Sequence, residues 1–208
     1  MKKFDRAFEE KLEHVIAAIE EKTSVEVVAA VTPRSDSYID AFLKGGLIFL
    51  LAMLLFVFYS PVFFPEALVP VDLAAAFVIG VLAVWLIPPF KRLLVSDRRM
   101  ERYVNAGAAA FFMENNLDKT TARTAFLVYI SVFERKCRLI GDRGVLHALP
   151  AGVWKEIEAN SQGIFSRGNL PQAILDVLPT VTQPFSEFLP PAEDNIDELP
   201  NRLRRVER

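Results

Sequence analysis

One cysteine, Cys137, and two histidines, His14 and His147, are the only thiol and imidazole groups in 208 residues. No intramolecular disulfide and no cysteine-rich zinc cluster can be built from them. Two isolated histidines do not make a histidine metal site, and Cys137 reads as a small apolar filler in a strand. An excess of charge of one sign is also lacking. The net charge is -2 and no basic stripe with interleaved aromatics occurs, so a nucleic-acid partner is not expected. Met1 to Lys22 alternates charged with apolar residues and lacks the apolar run and cleavage site of a signal peptide. No internal repeat is present. The most informative shortage is local: between Lys44 and Lys91 only Glu66 and Asp72 carry charge, and neither is basic.

What fills that interval is Leu, Phe, Val, Ala and Ile, with no solvated face. Two runs, at about 43–59 and 73–90, each reach the ~17 to 20 residues that cross a bilayer core. Pro61, Pro65 and Pro70 mark the segment 60–72 between them as a loop. The expectation is a transmembrane helical hairpin over 41–91. Arg34 and Lys44 precede the first run, and Lys91, Arg92, Arg98 and Arg99 follow the second, while the loop has no Lys or Arg. By the positive-inside rule both termini and the globular part are cytoplasmic in a bacterial inner membrane, with two spans.

The flanking sequence reads as a globular α/β fold. Phe4, Phe8, Leu12, Val15, Ile16 and Ile19 recur at helical spacing, with Asp5, Arg6, Glu9, Glu13 and Glu20 on the other faces. Val25 to Val31 reads as a buried strand. After the hairpin, Arg98 to Leu117 predicts a second helix, and Ala125 to Phe133 a strand buried on both faces. Lys136, Cys137, Arg138 and Leu139 alternate as a half-exposed strand should. Helices are expected over 150–161 and 170–188, the latter kinked or divided by Pro179 and Pro184. The resulting divisions are a discontinuous globular domain, 1–40 with 92–189, and a tail, 190–208, extended or disordered.

The strand at 25–31 reaches the strand at 125–133 through a long connection, so the two are expected to be parallel, and the third strand antiparallel. With Glu134 and Arg135 as a tight polar turn, opposing residue numbers sum to about 269. Asp142 then falls near Leu127 and Gly144 near Ala125. The same edge collects Glu26, Arg123, Thr124, Asp142 and Arg143. Glu26 and Asp142 are candidate ligands for a divalent cation, with Thr124 and backbone carbonyls completing the shell. Arg123 and Arg143, with Thr124, are the candidate phosphate or ligand contacts. Ion pairing of the two acids with the two arginines would instead fix the hairpin and do no chemistry.

Several segments carry a family resemblance. They are T-S-V-E-V-V from Thr23, A-R-T-A-F-L-V-Y-I-S from Ala122, E-R-K-C-R-L-I-G-D-R-G-V from Glu134, V-W at Val153, and D-E-L-P-N from Asp197. In these the chain resembles the TPM domain family, and in particular a bacterial membrane branch with two spans inserted in the domain. The resemblance implies a three-layer α/β/α sandwich with a mixed sheet, a bound Ca²⁺ or Mg²⁺, and, for some members, modest acid phosphatase activity. By motif it carries Glu26, Arg123, Thr124, Asp142 and Arg143 over as site residues. Val25 and Ala125 stand where relatives tend to have glycine, and the histidines that relatives of this branch place near Asn105 and Glu187 are missing. The expected function is a membrane-anchored binding, assembly or quality-control module, with the bilayer and a membrane or membrane-associated protein as partners. The alternative is a metal-dependent phosphomonoester hydrolase in which the cation polarises the phosphoryl group.

Overall fold

In the computed structural model, residues 4–191 and 199–206 are described. The chain divides into two compact units, Met1–Ser35 with Glu101–Arg208, and Asp36–Met100. The first is an α/β fold on a mixed four-stranded sheet of order β3-β2-β1-β4, formed by β1 (Glu26–Thr32), β2 (Ala125–Ser131), β3 (Lys136–Gly141) and β4 (Arg204–Arg205). β1 and β2 are parallel, Glu26 opposite Ala125 through Thr32 opposite Ser131, and β2 and β3 are antiparallel. Both central strands are buried along their whole length, which explains their unbroken apolar sequence.

Alternation sorts the side chains onto two faces. Val27, Ala29, Val31, Phe126, Val128 and Ile130 point to one core. It is closed by α1 (Arg6–Glu20), α7 (Ala151–Gln162), α8 (Leu170–Val177) and α9 (Thr182–Phe188). Val28, Ala30, Ala125, Leu127 and Tyr129 point to the other, covered by Val104, Ala108, Phe111 and Phe112 of α5 (Asp97–Glu114). Helices on both faces of one sheet make the three layers. Asp5 caps α1, its carboxylate accepting the Phe8 N–H at 2.9 Å.

Several details depart from the sequence reading. Opposing numbers in the β2–β3 hairpin sum to 267, not 269. Four residues, 132–135, form the turn, because Val132 and Phe133 leave the hairpin to donate to the carbonyls of Thr32 and Pro33 at 3.0 Å each. Asp142 therefore lies beside Ala125, and Gly144 beside Arg123. A shift of two leaves every side chain on its expected face. Glu134 is not a solvated turn residue but wholly buried. The helix expected over 170–188 is divided at Leu178 by a 3-10 turn, Leu178–Val181. A short helix, α6 (Arg143–Ala148), follows β3 where no helix was expected. In the segment read as a tail, Leu203 is buried and Arg204–Arg205 add a strand parallel to β1. The rest of that tail at 192–198 and 207–208, including Asp197 and Glu198 of the D-E-L-P-N segment, lies outside the described residues.

The second unit contains two helices long and apolar enough to cross a membrane, α2 (Ile39–Tyr59) and α3 (Val69–Leu86). Each begins four residues earlier than expected, and the connection shrinks to 60–68. Pro70 does not end the loop; it lies in the first turn of α3, where its missing N–H costs nothing. Pro88 and Pro89 open a separate short helix, α4 (Pro88–Leu93). The two long helices pack closely through small residues: a Cβ on Gly46 would lie 2.5 Å from the Phe77 ring, and one on Gly80 would run into the carbonyl of Gly45.

Candidate functional site

Three strand ends meet at one edge of the sheet. The N–H of Glu26, first residue of β1, donates to the carbonyl of Thr124 at 3.2 Å. The N–H of Asp142, one residue past β3, donates to the carbonyl of Ala125 at 2.8 Å. Glu26, Ala125 and Asp142 thus form a row across three strands. With neighbouring strands ~4.8 Å apart, the Cα atoms of the two acids lie ~10 Å apart, with only the methyl of Ala125 between them.

Both carboxylates are buried. Glu26 Oε2 accepts the N–H of Leu199 at 3.2 Å, which ties the returning C-terminal segment to the start of β1. Asp142 Oδ1 accepts the N–H of Arg143 at 2.7 Å and caps α6. Its second oxygen, Oδ2, is buried with no hydrogen-bond partner among the described residues. A buried carboxylate oxygen without a donor is costly. Thr120 Oγ1, at the head of the turn leading to Arg123, is buried in the same condition. The sequence reading did not single out Thr120; no motif or periodicity marks it.

Arg123 occupies the left-handed region, φ 55°. Its N–H donates to the Thr120 carbonyl at 3.1 Å, and its own carbonyl accepts from Gly144 at 2.9 Å. Gly144 is required there: a Cβ would sit 2.6 Å from the Arg123 carbonyl oxygen and 2.8 Å from that of Ala122. The guanidinium of Arg123 is half exposed, 3.9 Å from Asp118. Thr124 is buried and Arg143 exposed. Backbone hydrogen bonds and the caps made by Glu26 and Asp142 hold the edge.

Three expected residues, Arg123, Asp142 and Arg143, thus share one turn-to-turn junction, with Glu26 and Thr124 buried beside it. The oxygen donors suit a hard cation. A cation at Asp142 Oδ2 would draw most of its shell from water and backbone carbonyls. Among the described residues no group of three or more His, Cys, Asp or Glu converges. Cys137 adds no nucleophile: burial pushes its thiol up to about 12, against a hydrogen bond with Ser161. Glu20, read as a surface residue of α1, is buried at the same end, and its Oε1 accepts the outward N–H of Val27 at 2.8 Å.

No curated protein is detectably similar to this chain in sequence. In fold it is similar to BA42 protein from the psychrophilic bacterium Bizionia argentinensis, solved by NMR. The TM-score is 0.59 at 17% identity, over 97% of this chain and 94% of that one. Residues 92–183 match the TPM domain. That segment holds Arg123, Thr124, Asp142 and Arg143 together with β2, β3 and the turn that Gly144 closes. Over residues 92–183, which hold four of the five candidate residues, the chain is similar to the TPM domain.

Proposed function

We propose that the chain is a membrane-anchored TPM domain that serves as a binding or assembly module for a membrane or membrane-associated protein. The observation that carries this reading is the surface of α2 and α3. Leu47, Leu51, Phe56, Val78, Leu82 and Trp85 are all exposed on helices that show no polar face. In water such a surface is an aggregation liability, and in a bilayer it is the ordinary exterior of two spans. Lys and Arg at both ends of the pair, and none in 60–68, support a reading with both termini on the cytoplasmic side of a bacterial inner membrane.

In this reading Arg123 and Arg143 form the polar contact surface with Thr124 buried behind them, and Asp142 with Glu26 holds a Ca²⁺ or Mg²⁺ ion that steadies the turn. The cation would supply charge to the junction; the arginines, one strained and one without an ion-pair partner among the described residues, would meet an acidic or phosphate group of the partner. Each acid already spends one oxygen on a backbone N–H, which suits a structural ion better than a hydrolytic centre.

Membranes washed with alkaline carbonate should retain the chain, and reporters fused after residues 65 and 208 should report opposite sides, with 208 cytoplasmic. Release into the wash, or a C-terminal reporter outside, would refute the anchor. Calcium titration of the purified chain should raise its melting temperature, and Asp142→Asn should remove that rise. Cation-dependent hydrolysis of p-nitrophenyl phosphate, lost in Asp142→Asn at unchanged stability, would replace the module by the phosphomonoester hydrolase.

A further inference from the structure

The second unit carries an imbalance of charge at one end. Where α2 begins and α3 ends, Lys44, Lys91, Arg92, Arg98 and Arg99 face only Asp36, Asp40 and Asp97. None of those acids is left over: Asp36 and Asp40 are ion-paired and Asp97 has a partner of its own. Arg99 pairs with Asp36 at 3.6 Å and with Asp40, and Lys44 pairs with Asp40 at 3.0 Å. Lys91 is buried: its Nζ donates to the Ser37 carbonyl at 2.8 Å and lies 4.5 Å from the centre of the Phe42 ring. Lys91 and Arg99 therefore tie the end together. Arg92 and Arg98 have no ion-pair partner among the described residues.

Exposed apolar residues accompany these free guanidinium groups. Leu93, next to Arg92 in α4, is 80% exposed, and Ile39, at the start of α2, is 73% exposed. Water suits the arginines and not the leucine; hydrocarbon suits the leucine and not the arginines. The headgroup layer of an anionic bilayer suits both. Topology alone would be served by any cations at this end, paired or not. The separation into two paired, one buried and two free cations is what points to a ligand.

We infer that Arg92 and Arg98 bind the phosphate of an anionic phospholipid headgroup, with Leu93 set among the acyl chains beside it. The inference rests on the membrane reading above and deepens it. The planar guanidinium offers two parallel donors to phosphate oxygens, and each arginine near an anionic surface is worth roughly 5-fold in affinity. Loss of both should lower the preference for anionic lipid by about 25-fold.

The test uses the full chain, delipidated in a neutral detergent and titrated with dioleoylphosphatidylglycerol or dioleoylphosphatidylcholine. Melting temperature and the lipid retained after washing, counted by mass spectrometry, are the readouts. Phosphatidylglycerol should raise the melting temperature and be retained, and phosphatidylcholine should do neither to the same extent. R92Q/R98Q should abolish the difference without lowering stability in phosphatidylcholine, and R92K/R98K should keep most of it. Equal response to the two lipids, or a preference that survives R92Q/R98Q, overturns the inference. So does an equal shift with inorganic phosphate, which would make the site a free-anion site, or displacement of lipid by a co-purifying acidic protein. A chain found soluble without detergent would sink the anchor and this inference together. A chain that stays in the membrane but ignores headgroup charge would sink this inference alone.

Discussion

Gly144 and Arg123 show how a single position sets the geometry of the candidate site. The Gly144 N–H holds the Arg123 carbonyl at 2.9 Å, and the absent Cβ is what permits the approach. Gly144→Ala must push apart two backbone segments that cannot rotate away, so a loss of about 1–3 kcal/mol in chemical denaturation is expected. Any cation-induced stabilisation should fall with it. Wild-type stability in the alanine variant would show that the turn is looser than its distances imply. Cys137 gives a second test at this scale. Its thiol is raised from 9.0 to about 12 by burial, so the fold favours the protonated form. The stability it contributes is full below pH ~9 and is lost as pH climbs toward about 12. Denaturation midpoints should decline over that window in wild type and less in Cys137→Ala, and iodoacetamide should label Cys137 only when the chain unfolds. The acids Glu20 and Glu134 were not legible as buried groups. Periodicity tells which face of an element a residue occupies, but Glu20 ends a helix and Glu134 sits in a turn, where no period applies. Asp142 was legible because D-R-G follows an alternating strand.

At the level of elements, the β2–β3 hairpin is held by a buried polar cluster at the end of the sheet opposite the candidate site. Glu134 Oε1 accepts the Ser35 N–H at 2.8 Å, Glu134 Oε2 accepts the Ser131 hydroxyl, and the hydroxyls of Ser35 and Ser131 are 2.9 Å apart. This cluster joins the exit of β1 to the turn after β2, so it fixes the two parallel strands in register as well as the hairpin. Glu134→Ala strips acceptors from a buried N–H and a buried hydroxyl, at a cost of about 2–4 kcal/mol. A loss below ~0.5 kcal/mol in urea denaturation would mean that water replaces the carboxylate and that the cluster sets nothing. The same cluster explains the misread turn. Val132 and Phe133 are apolar and look like strand, yet they follow the exit of β1 and not β3, a long-range choice invisible in local sequence. β1 and β2 themselves were plain to read, because burial on both faces imposes an unbroken apolar run. β4 was not, since its two residues are both arginine and only their pairing with Ala30 and Val31 makes them a strand.

For the molecule as a whole, the decisive fact is that the sheet is assembled from both sides of the inserted segment. Glu26–Thr32 pairs along its full length with Ala125–Ser131, while α2 and α3 lie between them in the chain. Two strands that exchange backbone hydrogen bonds must be in the same compartment. The number of membrane crossings between residues 32 and 125 is therefore even, whatever the orientation. The apolar composition that gives two helices able to span and the parallel pairing that demands an even count are independent, and they agree. With the chain anchored as proposed, deleting residues 60–86 leaves α2 as one span and carries β2, β3 and α7–α9 to the side opposite α1 and β1. The first unit should then fail to form: its two cores are each built across the division, with Phe126 and Val27 in one and Leu127 and Val28 in the other. Limited proteolysis of membrane vesicles should degrade that variant to its span, while the wild-type unit resists. Replacing α3 by a scrambled helix of the same composition keeps two crossings, and should keep the resistant unit even though the Gly45–Gly80 contact is gone. If the one-span chain still protected a fragment of the wild-type size, the first unit would be closing without β1 or without crossing the bilayer, and the anchor as proposed would fall.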